Sequence, residues 1–311
     1  MTLTNTKKLP FARLRRITVI ASHAFTQLVR MKVFYFLGIF ALIAIASNFF
    51  DLPQHDGPET LGDHGLDFLR LIKSWSLGAM TLFSVVMGIV STALLLPKDV
   101  EDRTLYTILA KPVPRIDYLA GKLLGVLLLL FVSLALMDVL MTVMLQARLS
   151  IVLEVQTALG HARGWDQASR ESLRIDTLAQ GPTWALQGAV AAVFFRAAIM
   201  AAIALLVSTF SSSTLFTTVV SFLVYFIGHF QADARDFYLS SDRAGTSSAA
   251  RYLATAISVV FPDFQLFNVI DAVIQGKTME LIQFVKLTLA ALYYVIVYTV
   301  ASWFIFSDKE F

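Results

Sequence analysis

Long runs of apolar residues, separated by shorter polar stretches, dominate the pattern of this chain. Six runs are long enough to cross a bilayer, which takes about 20 apolar residues in a helix. A helix satisfies its own backbone hydrogen bonds in lipid, and the alternating pattern of a membrane barrel does not occur here. The sequence therefore predicts an all-α, polytopic integral membrane protein. We place the transmembrane helices at 33–50, 76–96, 123–146, 183–209, 214–230 and 287–306.

The distribution of Lys and Arg predicts how the chain is oriented. Seven basic residues and no acidic residue precede the first span, whereas the loop at 51–75 carries five acidic residues and two basic ones. Short loops rich in Lys and Arg stay in the cytoplasm. We therefore expect cytoplasmic N- and C-termini, a cytoplasmic segment at 97–118, and extracytoplasmic regions at 147–182 and 231–286. The first of these regions is expected to form a small helical cap.

Three local patterns add detail to this topology. Residues 11–32 place apolar side chains at helical spacing among cations, which predicts an amphipathic helix on the inner leaflet. Gly121 and Gly125 form a G-x-x-x-G pattern that suits either a close helix contact or a hinge. Asp263 is a plausible N-cap for the apolar helical pattern that follows it.

Composition agrees with the membrane assignment and excludes some chemistry. The chain is 57% hydrophobic and 15% charged, with a mean hydropathy of +0.70. Soluble domains have about 45–50% apolar and about 25% charged residues. Cysteine is absent, so disulfides and thiolate metal sites are excluded. The phosphate-binding pattern G-x-x-x-x-G-K-[ST] is also absent, so we expect no nucleotide site and no enzyme activity in this chain.

The charged segment between the second and third spans has the most informative pattern. It begins with acidic residues, continues through an apolar stripe at 104–110, and ends at Pro112 and Pro114. Acidic residues suit a helix N-terminus, and proline ends a helix. This pattern predicts a short helix at 104–110, joined by a proline elbow to a second element that starts near Asp117 and continues into the third span. A solvated connector is the simpler alternative.

This segment reads EDRTLYTILAKPVPRIDYLAGKLLG and resembles the permease subunits of type-2 ABC transporters. Weaker similarities are RMKVFY at 30–35, LLVSTFSSST at 205–214 and SDKEF at the C-terminus. Arg103-Thr104 departs from the Gly-Thr of many members. The resemblance implies a six-helix permease that pairs with separate ATPase subunits, which bind ATP and magnesium, while this chain binds no cofactor. It implies that the following residues dock on the ATPase: Glu101, Thr104, Tyr106, Leu109, Lys111, Pro112 and Arg115.

We therefore expect the permease of an ABC exporter in the bacterial plasma (inner) membrane. It would assemble with a second permease copy or a homologous permease and contact lipid but not nucleic acid. A non-transporting membrane scaffold or sensor that assembles with an ATPase is the alternative.

A few polar residues outside that segment are further candidates. Asp138 and Arg196 lie inside predicted spans, where a charge is costly and must face protein or water. They either line the transport pathway, pair with each other, or are satisfied separately. His55 and His64 lie near carboxylates and are weak candidates for a divalent metal. Their spacing fits no established ligand pattern, so we predict no metal site.

Overall fold

The computed structural model describes residues 10–46, 61–101, 114–211, 213–239, 252 and 261–308. These residues form nine α-helices and one short 3₁₀ helix, Phe264–Phe267, with no strand among them, which confirms the all-α class. The α-helices are α1 Pro10–Val29, α2 Lys32–Ala46, α3 Leu61–Glu101, α4 Arg115–Ala162, α5 Gln167–Ala179, α6 Trp184–Phe210, α7 Thr214–Leu239, α8 Ile270–Ile274 and α9 Leu281–Asp308.

Five of the described helices are long and apolar enough to cross a membrane. They are α3, α4, α6, α7 and α9, and they contain the second to sixth predicted spans except for Thr183, which is the N-cap of α6. The first predicted span coincides with α2, whose 15 residues extend about 22 Å at 1.5 Å per residue. Residues 47–50 of that span lie outside the described residues. The count of six spans and the cytoplasmic orientation of the termini stay predictions.

Several helices are longer than the spans predicted within them. Helix α4 has 48 residues, or about 72 Å, whereas the hydrocarbon core is about 30 Å thick. It therefore projects well beyond the bilayer. Its last turns and α5 occupy most of 147–182, so this region is helical, as its sequence indicates. Between them Gly164 adopts φ +66°, and Trp165 N donates to Gly160 O at 3.0 Å, which closes the end of α4.

Helix α6 occupies the centre of the described bundle. It contacts α3, α4, α7 and α9, and most of its side chains are buried. Many of these are alanine, which lets neighbouring backbones approach closely. A Cβ added to Gly88 of α3 would lie 3.0 Å from the carbonyl oxygen of Ala197 on α6. By contrast, α7 and α9 expose long apolar faces, as expected for helices at the lipid boundary.

Helix α1 packs along the first turns of α4. A Cβ at Gly121 would lie 2.7 Å from Ile20 Cβ, and one at Gly125 would lie 2.6 Å from Ala24 Cβ. Since both residue numbers rise together, the two helices run parallel. The two glycines therefore form a close helix contact, one of the two roles that their spacing suggests. The placement of α1 on the inner leaflet stays a prediction.

Asp263 begins the 3₁₀ helix as its N-cap, as the sequence predicts. Its Oδ1 accepts a hydrogen bond from Gln265 N at 3.0 Å. The following Phe264 and Phe267 are fully buried, and Phe264 fits against Gly228 of α7. The capped turn thus lies directly beside two buried rings.

We predict that Gly125→Ala destabilises the protein and that Gly78→Ala does not. The added methyl group at position 125 overlaps Ala24, whereas nothing lies within 4 Å of the same position at Gly78. Overpacking costs about 1–3 kcal/mol, whereas replacing an unconstrained helical glycine gains about 0.5–1 kcal/mol. The two variants are compared by their free energy of unfolding in detergent micelles. Equal stability of the two variants would contradict the close contact between α1 and α4.

Candidate functional site

A buried polar cluster lies where α3 ends and α4 begins. Asp99 stands two residues before the end of α3, and Tyr118 and Lys122 project from one face of α4. Lys122 Nζ lies 2.6 Å from Asp99 Oδ2, and the Tyr118 hydroxyl donates a hydrogen bond to the same oxygen. All three residues are at least nine-tenths buried. We call this set, together with Arg115 and Asp117, the basal cluster.

The basal cluster continues from α4 to α1 through Asp117. This carboxylate is 3% exposed and lies in the first turn of α4, where the helix dipole favours negative charge. Its Oδ2 lies 3.2 Å from Arg16 Nη2, and its Oδ1 lies 3.8 Å from Nε of the more exposed Arg13. The polar face of α1 is therefore tied to the start of α4, next to the glycine contact.

Arg115 extends the basal cluster to the end of α9. Its Nη1 donates to the carbonyl oxygens of Phe306 and Ser307, both at 2.7 Å. Carbonyls in the last turn of a helix have no partner within the helix, and a cation there also favours the dipole. The Phe306 ring stacks on Tyr118 at 6.2 Å between centroids. Four helices, α1, α3, α4 and α9, are thus joined by side chains from the start of α4.

The predicted ATPase-docking residues fall on both sides of the described boundary. Arg115 is described and binds α9, as above. Glu101 is the last residue of α3, and its side chain lies outside the described part. The predicted helix at 104–110 also lies outside the described residues, and so do the docking candidates Thr104, Tyr106, Leu109, Lys111 and Pro112. The second element begins at Arg115, close to the predicted position. The docking role of these residues stays a prediction.

Sequence reasoning missed the basal cluster as a unit. From the sequence alone, Asp99 and Asp117 are interpreted as acidic residues near helix starts, and Lys122 is interpreted as one more cytoplasmic cation. The available signal was the i, i+4 spacing of Tyr118 and Lys122 on an apolar helix, which places both on one face. Their partner on α3 precedes them by about twenty residues, and only the tertiary structure brings it there.

Asp138 lies half-buried on α4, facing α6. Its Oδ1 accepts a hydrogen bond from Gln187 Nε2 at 3.3 Å, and Thr142, one turn further on, adds a hydroxyl beside the carboxylate. The Asp138 and Gln187 side chains line a cleft of about 440 Å³ between the two helices. The other walls are apolar.

Arg196 lies on α6 next to α7, and it does not pair with Asp138. It is 4% exposed, and the Tyr225 side chain of α7 lies beside its guanidinium. Its Nε has no hydrogen-bond partner among the described residues. Asp138 and Arg196 thus form no ion pair with each other, and their separate satisfaction by neighbouring groups stays a prediction. A role of either in the transport pathway stays a prediction.

A buried lysine stands at the opposite end of α3. Lys73 is fully buried, and its Nζ donates to Gln180 Oε1 at 3.0 Å, in the connection between α5 and α6. From the sequence it reads as a surface cation of the first loop. Its burial ties α3 to the start of α6 at the end remote from the basal cluster.

The weak metal candidates receive no structural support. His55 lies outside the described residues, and His64 lies in α3 but its side chain is not among those described. In the described ranges no group of three or more metal-ligating side chains occurs. The expectations that the chain binds neither a metal nor a cofactor stay predictions.

The fold and the pattern of apolar helices define a multi-pass α-helical membrane protein. The family model described as ABC-2 family transporter protein matches residues 18–234, about two thirds of the chain. The chain therefore belongs to the ABC-2 transporter family and is a transmembrane permease component of an ABC transporter. Such a component is typically not catalytic, and membership implies assembly with an ABC ATPase subunit. No curated protein matches the chain.

We predict that Asp99→Asn and Lys122→Gln each destabilise the protein, by about 3 kcal/mol, and that the double variant loses less than the sum. Each single change leaves the other charge buried without its partner, whereas the double change removes both. The free energy of unfolding in detergent micelles is measured for the wild type, the two single variants and the double variant. The difference between the double loss and the sum of the single losses gives the coupling energy of the pair.

The exposed pair Asp67 and Arg70, 3.2 Å apart on α3, provides the matched control. Asp67→Asn and Arg70→Gln are expected to change stability by less than about 1 kcal/mol. Additive losses at positions 99 and 122 would show that the buried pair does not hold α3 and α4 together.

Proposed function

We propose that this chain is the permease of an ABC exporter in the bacterial inner membrane, driven by a separate ATPase subunit that docks on the segment at 97–118. ATP and magnesium bind in that partner, and two permease copies, or this chain and a homologue, complete the transporter. The observation that carries the proposal is the basal cluster. It holds both described ends of the docking segment and links them to α1 and α9.

The basal cluster offers a direct route for mechanical force. A push on residues 102–113 acts on α3 through Asp99 and on α4 through Tyr118 and Lys122. Because buried ion pairs are costly to break, the ends of α3 and α4 move together rather than separating. The ion pairs at Asp117 carry the motion to α1, and the hydrogen bonds of Arg115 carry it to α9.

The length of α4 converts a small rotation at its base into a large displacement at its far end. A tilt of about 5° over its length of about 72 Å moves the far end by roughly 6 Å. The far end of α4 leads directly into α5, which precedes the central α6. The two ATPase states shift the permease only if they contact the docking segment differently. Export is proposed from the resemblance to type-2 permeases.

A non-transporting scaffold or sensor is the competing proposal, because a segment that binds an ATPase also suits static assembly. The two differ in what ATP does to the far ends of the helices. In a transporter these ends move during the ATP cycle, and in a scaffold they stay in place.

We predict that cysteines introduced at Tyr106 or Lys111 cross-link to the ATPase subunit. The chain has no cysteine of its own, so each variant carries a single reactive thiol. Trp184→Cys, at the exposed start of α6, is the control and is expected to give no cross-link. Native membranes are treated with a thiol-reactive cross-linking reagent, and the cross-linked species are detected on denaturing gels. Labelling of position 106 or 111 by an impermeant thiol reagent added outside intact cells would contradict the docking assignment.

We predict that vanadate trapping changes the distance between spin labels at Ala162→Cys and Ile282→Cys, which lie at the far ends of α4 and α9. Adding Lys122→Gln is expected to reduce this change at least twofold while the ATPase stays bound, because the link that couples α4 to the end of α3 is lost. Asp67→Asn is the matched surface control and should leave the change intact.

The measurement is electron–electron double resonance on the reconstituted complex. A stable complex in which the wild-type distance does not respond to vanadate would favour the scaffold. A full response in the Lys122→Gln variant would show that the basal cluster does not transmit the motion.

A further inference from the structure

The cleft between α4 and α6 combines one carboxylate with aromatic walls. It is formed by Phe131, Leu134, Ala135 and Asp138 of α4, and by Gln187, Val190, Ala191, Phe194 and Phe195 of α6. Its volume of about 440 Å³ lies in the range of small-molecule sites, about 300–1,000 Å³. Phe131 and Phe194 meet edge to face, with ring centroids 6.1 Å apart. The cleft is therefore large enough for an apolar body of drug size.

The carboxylate in this cleft has no cationic partner among the described residues. Asp138 accepts a hydrogen bond from the neutral amide of Gln187, and the neutral hydroxyl of Thr142 lies beside it. The nearest cation along α6, Arg196, is nine residues or about 14 Å further along that helix and lies beside Tyr225 instead. Asp138 also lies eight residues, or about 12 Å, inside the predicted outer end of its span. A charge at such depth is expensive unless a partner compensates it.

The cleft is open along an exposed apolar surface of α4, which we expect to face lipid. On its α4 wall, Phe131 is 59% exposed and Ala135 is exposed as well. Molecules that partition into the bilayer can therefore reach Asp138 sideways, without first entering an aqueous vestibule. Such molecules are amphiphiles, whose apolar part prefers lipid.

We propose that this cleft binds lipophilic organic cations, with the positive centre at Asp138 and the apolar groups among Phe131, Phe194 and Phe195. The cation supplies the missing countercharge, and aromatic faces attract cations further. Gln187 positions the carboxylate through its amide hydrogen bond. This inference rests on the proposed transport function, because it names the class of substrate that the permease would carry.

The test uses the permease in lipid nanodiscs, without ATPase, and two probes of similar shape and opposite charge, tetraphenylphosphonium and tetraphenylborate. Equilibrium dialysis against protein-free nanodiscs measures specific binding. We expect saturable binding of the cation only, weakened at least tenfold by Asp138→Asn. Asp271→Asn, at an exposed acidic residue outside the cleft, is the matched control and should bind the cation as the wild type does.

A second pair of variants keeps the test valid if Asp138→Asn fails to fold. Phe131→Ala removes an exposed wall of the cleft and is expected to weaken cation binding several-fold, whereas Phe226→Ala, on the exposed face of α7, should not. No saturable binding of tetraphenylphosphonium to the wild type, or equal binding by Asp138→Asn, would overturn the proposal. Equally tight binding of tetraphenylborate would also overturn it, because the site would then not select for charge.

The outcome is independent of the test for the proposed function. Binding is measured without nucleotide, whereas the spin-label distances report the ATP cycle. Cation binding that depends on Asp138, combined with distances that ignore vanadate, would keep the site and remove the transport proposal. The reverse result would keep transport and remove this substrate class.

Discussion

The buried contact of Asp99 with Lys122 and Tyr118 is the interaction on which the base of the structure depends. A carboxylate and an ammonium can leave water only together, since each alone would carry a large desolvation cost. Their pairing therefore determines where the end of α3 meets the start of α4. From this junction, Asp117 reaches α1 and Arg115 reaches α9, so the first two turns of α4 connect to three neighbours.

Helix α4 also connects the basal cluster to the Asp138 cleft. Helix α6 is enclosed by α3, α4, α7 and α9, and Lys73 ties its beginning to α3. Helix α4 forms one wall of the cleft and α6 forms the other. A tilt of α4 against α6 would change the width of the cleft and the distance between Asp138 and Gln187. In the proposed mechanism, this relation couples ATPase docking to substrate affinity.

The all-α class and five of the six predicted spans follow from the sequence. Lipid offers no hydrogen-bond partners, so a long apolar run satisfies its backbone groups by forming a helix. Local capping is equally readable, as at Asp263, since the donor and acceptor lie two residues apart. The sequence also limits the roles of Gly121 and Gly125 to two. The position of α1 against them selects the close contact. The docking residues of the segment after α3 remain predicted by resemblance, because most lie outside the described part of the chain.

By itself, the sequence determines that this chain is a polytopic helical membrane protein, because hydrophobic length and helix signals are local properties. It also contains the family pattern that the comparison with known families confirms. Only the tertiary structure decides which charges are buried together. Asp99 meets Lys122, Asp138 meets Gln187 rather than Arg196, and Lys73 meets Gln180. The energy of a charge depends on what surrounds it in space, and those neighbours come from distant positions in the chain.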